Sequence, residues 1–322
     1  MVGKLDADAL ARLVLGRTGA DDPAVVQGPA YGEDTAAIDL GETTLVVNSD
    51  PISFAGDGIG ALGVHVACND VAASGARPRW LTNVCLLPDA DPETLDAITA
   101  EVDDAAAALD VSVVGGHAEH APGVDHPVLS LTCMGVTDRY VPTGGARPGD
   151  AVLLTKAAGV EATAVLAADF EEELREGVDR ATLDAARAFA DEVSVVPEAT
   201  ALAPLATAMH DPTEGGVLTG LVELALASDV AVDVDRDAIP VRPETAEVCA
   251  AAGVDPLRTF GSGALLATVP ADEADAALDA VRERGVSGAA IGEVRASDAA
   301  GVTLDGETIK EAPRDDLYRL WE

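Results

Sequence analysis

Residues 44–51, Thr44-Leu45-Val46-Val47-Asn48-Ser49-Asp50-Pro51, read as a short Val/Leu strand that ends in a carboxylate before proline. Residues 60–75, Gly60-Ala61-Leu62-Gly63-Val64-His65-Val66-Ala67-Cys68-Asn69-Asp70-Val71-Ala72-Ala73-Ser74-Gly75, form an apolar or small-residue segment long enough for several helical turns and closed by glycine. A helix without a polar face is buried. Its Asn69 and Asp70 therefore need partners, because an unpaired buried carboxylate is costly or has a raised pKa. A metal ion or metal-bound water resolves that cost. His65, one turn before Asn69, reads as a satisfied interior histidine.

The same alternation runs outward in both directions. Strands are expected over 44–48, 80–87, 111–114, 127–136, 151–155, 230–234, 263–269 and 287–293, and helices over 5–15, 60–74, 91–109, 159–168, 180–192, 197–208, 215–228, 244–251 and 271–284. Short Val/Leu runs between Ala-rich segments argue for α/β or α+β architecture. A length of 322 residues suits two domains. Pro142–Asp150, with three glycines and two prolines, interrupts both periodicities and marks the expected junction.

The formal charge of -37 comes from 57 acidic residues against 20 basic ones, and the lysines are Lys4, Lys156 and Lys310 alone. Such a surface repels nucleic acid and anionic membranes, so neither is an expected partner. The carboxylates are spread along the chain, with short runs such as Glu171-Glu172-Glu173. This distribution fits a salt-rich cytoplasm better than an acidic tail or a calcium-binding surface. An apolar fraction of 48% with 3% aromatics predicts a core of small and branched side chains, closely packed. Cys68, Cys85, Cys133 and Cys249 stand singly, without CxxC spacing, and read as buried free thiols. The N-terminal stretch lacks a basic-then-apolar leader pattern, and no stretch approaches 18 apolar residues, so a cytoplasmic location is expected.

Five segments carry candidate chemistry. In Tyr31-Gly32-Glu33-Asp34-Thr35-Ala36 a turn presents two carboxylates at the mouth of a strand, a pair suited to a hard cation or simply an acidic turn. Asp50, at the carboxyl end of its strand, points to a ligand crevice or only starts a turn before proline. Asn69 and Asp70 are the third pair. In Val113-Val114-Gly115-Gly116-His117-Ala118-Glu119-His120 an apolar strand breaks at two glycines whose amides suit phosphate oxygens. Its histidines do not match the helical HExxH zinc pattern. In Met209-His210-Asp211-Pro212-Thr213-Glu214-Gly215-Gly216-Val217 a capping residue precedes glycines that leave the first helical amides free, which suits an anion or plain capping.

GxxxxGK[ST] does not occur, and no segment reads as a GxGxxG strand-to-helix turn. Taken in order, Gly32-Glu33-Asp34, Ser49-Asp50-Pro51, the run Val66 to Pro78, Gly115-Gly116, Asp211-Pro212-Thr213-Glu214-Gly215-Gly216 and the late Gly261-Ser262-Gly263-Ala264-Leu265-Leu266 resemble the superfamily of aminoimidazole ribonucleotide (AIR) synthetase, selenophosphate synthetase, thiamine-monophosphate kinase and HypE. The likeness is strongest to HypE and its archaeal relatives and covers nearly the whole chain. It implies an α+β protein: an α/β N-terminal domain (1–145) whose sheet pairs with a second subunit's in a dimer barrel, and an α+β C-terminal domain (146–322).

The resemblance further implies ATP between the domains with Mg2+, and phosphoryl transfer to, or activation of, a small carbonyl, amide or acid acceptor. Asp34, Asp50 and Asp70 would be metal ligands and Asn69 would contact phosphate or metal, with Asp50, Asn69 and Asp70 catalytic. Gly32, Gly115, Gly116, Asp211, Gly215 and Gly216 would line the nucleotide site, and Lys156, after the strand Val152-Leu153-Leu154-Thr155, would contact phosphate or else be a surface lysine.

Three departures matter. Glu33 stands where the family usually has aspartate, and His117-Ala118 follow the paired glycines where many members have an acidic residue and threonine, so that one metal position is either lost or served by Glu119. The sequence ends Leu317-Tyr318-Arg319-Leu320-Trp321-Glu322 without the C-terminal cysteine on which HypE carries its carbamoyl group. The rival expectations are a dimeric non-catalytic scaffold or maturation factor acting through a protein partner, and a thiamine-monophosphate kinase. The latter branch usually carries Asp-x-Ser-Asp-Gly where Asp211–Gly216 stands here.

Overall fold

The computed structural model describes residues 7–53 and 58–322. Lys4 and the first two residues of the helix expected from residue 5 lie outside them. That helix otherwise forms as α1 (Ala7–Leu10), continuing in π-helical form over Ala11–Leu15.

In the first half, strands β1 (Val25–Gln27), β2 (Ala36–Asp39), β3 (Thr44–Ile52), β4 (Arg77–Leu87), β5 (Ser112–His120) and β6 (Val128–Thr137) form one sheet in the order β1-β2-β3-β6-β4-β5. Only β4 and β5 pair in parallel. Alternation gives β6 one buried face, Leu129, Leu131 and Cys133, covered by α2 (Ile59–Ala73) and α3 (Pro92–Ala108). Asp91 caps α3 through the amides of Glu93 and Thr94.

Helix α2 is apolar all round because it is packed on two sides. Val64, Ala67, Cys68 and Val71 join the core over the first sheet, whereas Ala72 and Ala73 join a core shared with the second half. Close approach demands small residues here: a Cβ on Gly63 would lie 2.6 Å from Leu131 Cδ1, and one on Gly60 would lie 2.5 Å from the Ile98 carbonyl.

The second half contains β7 (Asp150–Thr155), β8 (Ala208–His210), β9 (Ala231–Val234), β10 (Leu266–Pro270), β11 (Gly288–Arg295), β12 (Gly301–Leu304) and β13 (Glu307–Ile309), ordered β13-β12-β9-β11-β7-β10-β8. Its helices are α4 (Val160–Asp169), α5 (Glu171–Leu174), α6 (Arg180–Arg187), α7 (Val196–Leu202), α8 (Gly216–Ser228), α9 (Pro243–Ala252) and α10 (Ala274–Glu283). The chain is α+β, with two mixed sheets and their helices around separate cores.

Several boundaries differ from the sequence reading. The helix expected over 197–208 stops at Leu202, and Ala208 opens β8, because pairing with β10 outweighs the helix propensity of alanine. The strand expected over 111–114 does not break at its glycines: it bulges between Val113 and Gly115 and runs on to His120. Helix α8 is buried from Gly216 to Ala225. No helix among the described residues is long and apolar enough to cross a membrane.

Candidate active site

Four segments distant in sequence deliver the site. A tight turn with Gly32 at φ +78° leads to Asp34, and Thr35 fastens it to the end of α2 by a 2.7 Å bond to Ser74. Asn48 and Asp50, two residues apart, share the face of β3 that α2 covers, and α2 supplies Asp70. From the second half, β8 ends in His210 and the chain turns through Asp211 toward α8.

Oxygens of Asp34, Asp70 and Asp211 lie within 4.8 Å of one another. Asp70 and Asp211 are buried, and Asp211 Oδ2 has no hydrogen-bond partner. Three ionised carboxylates at this spacing repel by about 3–4 kcal/mol per pair at an effective dielectric of about 20. The consequence is read in their acidities. Burial, then the charges of Asp211, Asp50 and Asp34 and the bond to Asp50, hold the Asp70 carboxyl well above the usual range. Burial, then Asp34, pushes Asp211 up to about 7, while His210 pulls the other way. An all-oxygen set with an unsatisfied buried oxygen fits a hard divalent cation, and Mg2+ or Ca2+ meets that chemistry where a thiophilic metal does not.

Two residues outside the sequence-based set shape this cluster. Asn48 gives one amide N–H to Asp70 Oδ2 at 2.6 Å and the other to Asp50 Oδ2 at 3.0 Å, while its oxygen accepts from the Cys133 amide at 3.2 Å. The sequence signal was a polar residue on the inward face, in step with Val46. His210 lies 3.6 Å from Asp34 through Nδ1 and 3.0 Å from Glu223 Oε2 through Nε2. Burial lowers its pKa, but Glu223, by hydrogen bond and charge, together with Asp34 and Asp211 outweighs burial and raises it to about 9. Glu223, the single charged residue of α8, was the signal for that partner.

The remaining expected residues are placed elsewhere. The Asn69 amide is spent on the second half, donating to the Val193 carbonyl and accepting from the Val195 amide, each at 2.8 Å, so the expected phosphate or metal contact gives way to an interdomain one. Lys156 is neither a surface lysine nor a free phosphate ligand: its Nζ lies 2.6 Å from buried Glu198 and 2.7 Å from the Ser194 carbonyl. Gly32 packs against Glu223 of α8, where a Cβ would come within 3.3 Å.

The expected anion position at α8 is internally filled. Asp315 Oδ2 accepts the Gly215 amide at 2.7 Å, and the Gly216 amide donates to the Thr213 carbonyl. Gly115, Gly116 and Glu119 lie on β5, three strand spacings or about 14 Å from β3. Glu119 pairs there with His117 at 3.3 Å and is outside the carboxylate cluster. Gly116, whose Cβ would meet the Asn83 carbonyl at 2.0 Å, shares with Gly115 the wall of a cavity of about 350 Å³ that includes Asn83, Thr99 and Asp103. Register aligns Asp50, Leu131, Asn83 and Gly116 in one row across the sheet.

Asp34 and Asp70 of the first half thus meet Asp211 of the second. The family model described as AIR synthase related protein, N-terminal domain, matches residues 32–137, and that described as the C-terminal domain matches residues 147–305. The chain belongs to the AIR synthase related protein family, a family of enzymes. Carbamoyl dehydratase HypE of Azotobacter vinelandii is 33% identical over 285 residues, spanning 84% of this chain and 81% of that protein. A putative hydrogenase expression/formation protein of Methanocaldococcus jannaschii is 27% identical over 263 residues, 78% of this chain and 75% of the relative. Among solved structures, hydrogenase maturation protein HypE in complex with ATP has a TM-score of 0.71 and 26% identity, over 94% of this chain and 91% of that one. Thiamine monophosphate kinase from Aquifex aeolicus, at 21% identity and a TM-score of 0.72 over 86% of this chain and 92% of that one, shares the fold.

Proposed function

We propose that this chain is a magnesium-dependent, ATP-using enzyme that transfers a phosphoryl group to, or activates, a small carbonyl, amide or acid acceptor. The observation that carries this reading is the 2% exposed Asp211, whose Oδ2 has no hydrogen-bond partner, beside Asp34 and Asp70, since a bound cation would satisfy that oxygen and relieve the repulsion together. The solved HypE complex with ATP supports the nucleotide. Asp34, Asp70 and Asp211 would hold Mg2+, with Asp50 ordered beside them through Asn48. The metal would supply charge neutralisation at the phosphates. The chain's own part is to hold the carboxylates converged, to set His210 behind them as a fixed countercharge, and to keep water from most of the cluster.

The reading extends to assembly and setting. Domains 1–145 and 146–322 would close on the nucleotide. The uncovered face and free edge of the first sheet, with Val84, Val113 and Val114 exposed, support a homodimer through that sheet. The net charge supports work in a salt-rich cytoplasm, and relatives named for hydrogenase expression support a protein partner in a maturation pathway. The test is titration calorimetry of ATP with Mg2+ in molar KCl on the wild type and Asp70→Asn. Loss of metal-dependent binding with an intact fold is expected, and unchanged affinity refutes the reading.

A further inference from the structure

Glu33 precedes Asp34 and, by its place in the acidic pair, invites assignment as a second metal ligand. Its carboxylate is engaged otherwise. Oε1 accepts the Gly144 amide at 2.9 Å, and Oε2 accepts the Thr143 amide at 3.2 Å and the Tyr140 hydroxyl at 3.3 Å. All three donors belong to the segment that joins the two halves. That segment is gripped on its other side as well: the Ala146 amide donates to Ser228 Oγ at 3.1 Å, the Val141 amide to the Ser74 carbonyl at 3.0 Å, and a Cβ on Gly145 would lie 2.0 Å from the Thr207 carbonyl just before β8. Thr143 Oγ1 also stands 3.4 Å from His210 Nδ1. One short path therefore runs from the turn holding Asp34, through the joining segment, to the strand that delivers Asp211.

We propose that Glu33 is a positioning residue, an interdomain latch that fixes the joining segment so that Asp211 of the second half meets Asp34 and Asp70 of the first. The proposal rests on the metal-site reading above and adds a role outside the ligand set. It also accounts for glutamate at this position. An aspartate would withdraw the carboxylate by about 1.5 Å, one carbon–carbon bond, and break the bonds of 2.9 and 3.2 Å to backbone amides that cannot follow. A glutamine keeps the length but turns one acceptor into a donor facing N–H groups.

The test uses the full chain in molar KCl with two readouts: Mn2+ affinity by electron paramagnetic resonance without nucleotide, and hydrogen–deuterium exchange of residues 140–146, which contain the amides that Glu33 accepts. Glu33→Gln and Glu33→Asp are expected to weaken Mn2+ at least fivefold and to quicken exchange of that segment at least tenfold, with β10 still protected. Tyr140→Phe, which removes one donor, keeps the proposal testable if the Glu33 variants fold poorly, and both effects should be smaller but present. Weakened Mn2+ with unchanged exchange would make Glu33 a ligand and overturn the latch, as would faster exchange with unchanged Mn2+ affinity, or no change in either. Asp70→Asn serves as the separating control. It should lose Mn2+ with normal exchange at 140–146, and retention of Mn2+ in that variant would refute the metal site while exchange still reports on the latch.

Discussion

Replacing Asp211 with asparagine should raise the stability of the metal-free protein while removing its response to Mg2+. The Asp211 carboxyl ionises at about 7 in the fold against 3.8 unperturbed, because burial and Asp34 oppose its charge. Holding it ionised at pH 8 costs about 4 kcal/mol, of which loss of the attraction to His210 returns part, so the expected gain is about 2–4 kcal/mol. At roughly 2 °C per kcal/mol for a large domain, Tm should rise by about 4–8 °C. The sign follows from proton binding. Between pH 3.8 and about 7 the folded state holds a proton that the unfolded state has lost, so wild-type stability from this group falls as pH rises through that window. The asparagine advantage should therefore be absent near pH 3.5, grow through the window and level off above it. Differential scanning calorimetry with EDTA in molar KCl measures it. With Mg2+ at 100 times its Kd the wild type should regain about 2.7 kcal/mol and the variant nothing. A variant no more stable than wild type at pH 8 without metal, or one that keeps the Mg2+ response, refutes the reasoning.

Lys156→Met should leave Glu198 buried without its cation and cost about 3–5 kcal/mol, read as a lower urea midpoint, while ATP affinity of the folded fraction is unchanged. A well-folded variant that loses ATP would return Lys156 to the phosphate site. His210, raised to about 9 from 6.5, stabilises the fold fully below pH 6.5, and that contribution is lost as pH climbs through 9. The stability gap between wild type and His210→Gln should shrink from pH 6 to pH 10 in urea titrations, and a gap independent of pH contradicts the protonated dyad.

Adjacent residues explain why some site assignments held no further than the residue type. Asn69 and Asp70 are neighbours on α2, where successive side chains point about 100° apart. A helix that faces Asp70 into the crevice turns Asn69 toward the segment at Val193–Val195. Glycines and lysine misled for a related reason. Gly215 looked open to an anion until Asp315, 100 residues later, covered its amide. Lys156 looked available until buried Glu198, on α7, claimed it.

Periodicity and composition by themselves determined the buried α2, the Val/Leu strands, a chain of mixed helices and sheets and the need of Asp70 for a partner, because these follow from local spacing and from the cost of burying charge. Tertiary structure alone decided which carboxylates converge, that Asn48 and the His210–Glu223 pair stand behind them, and that Glu33 reaches the joining segment rather than the crevice. Those outcomes depend on where residues 34, 70 and 211 meet in space. That meeting is set by the packing of α2 between two cores and of α8 within the core of the second half, and no short-range pattern encodes it.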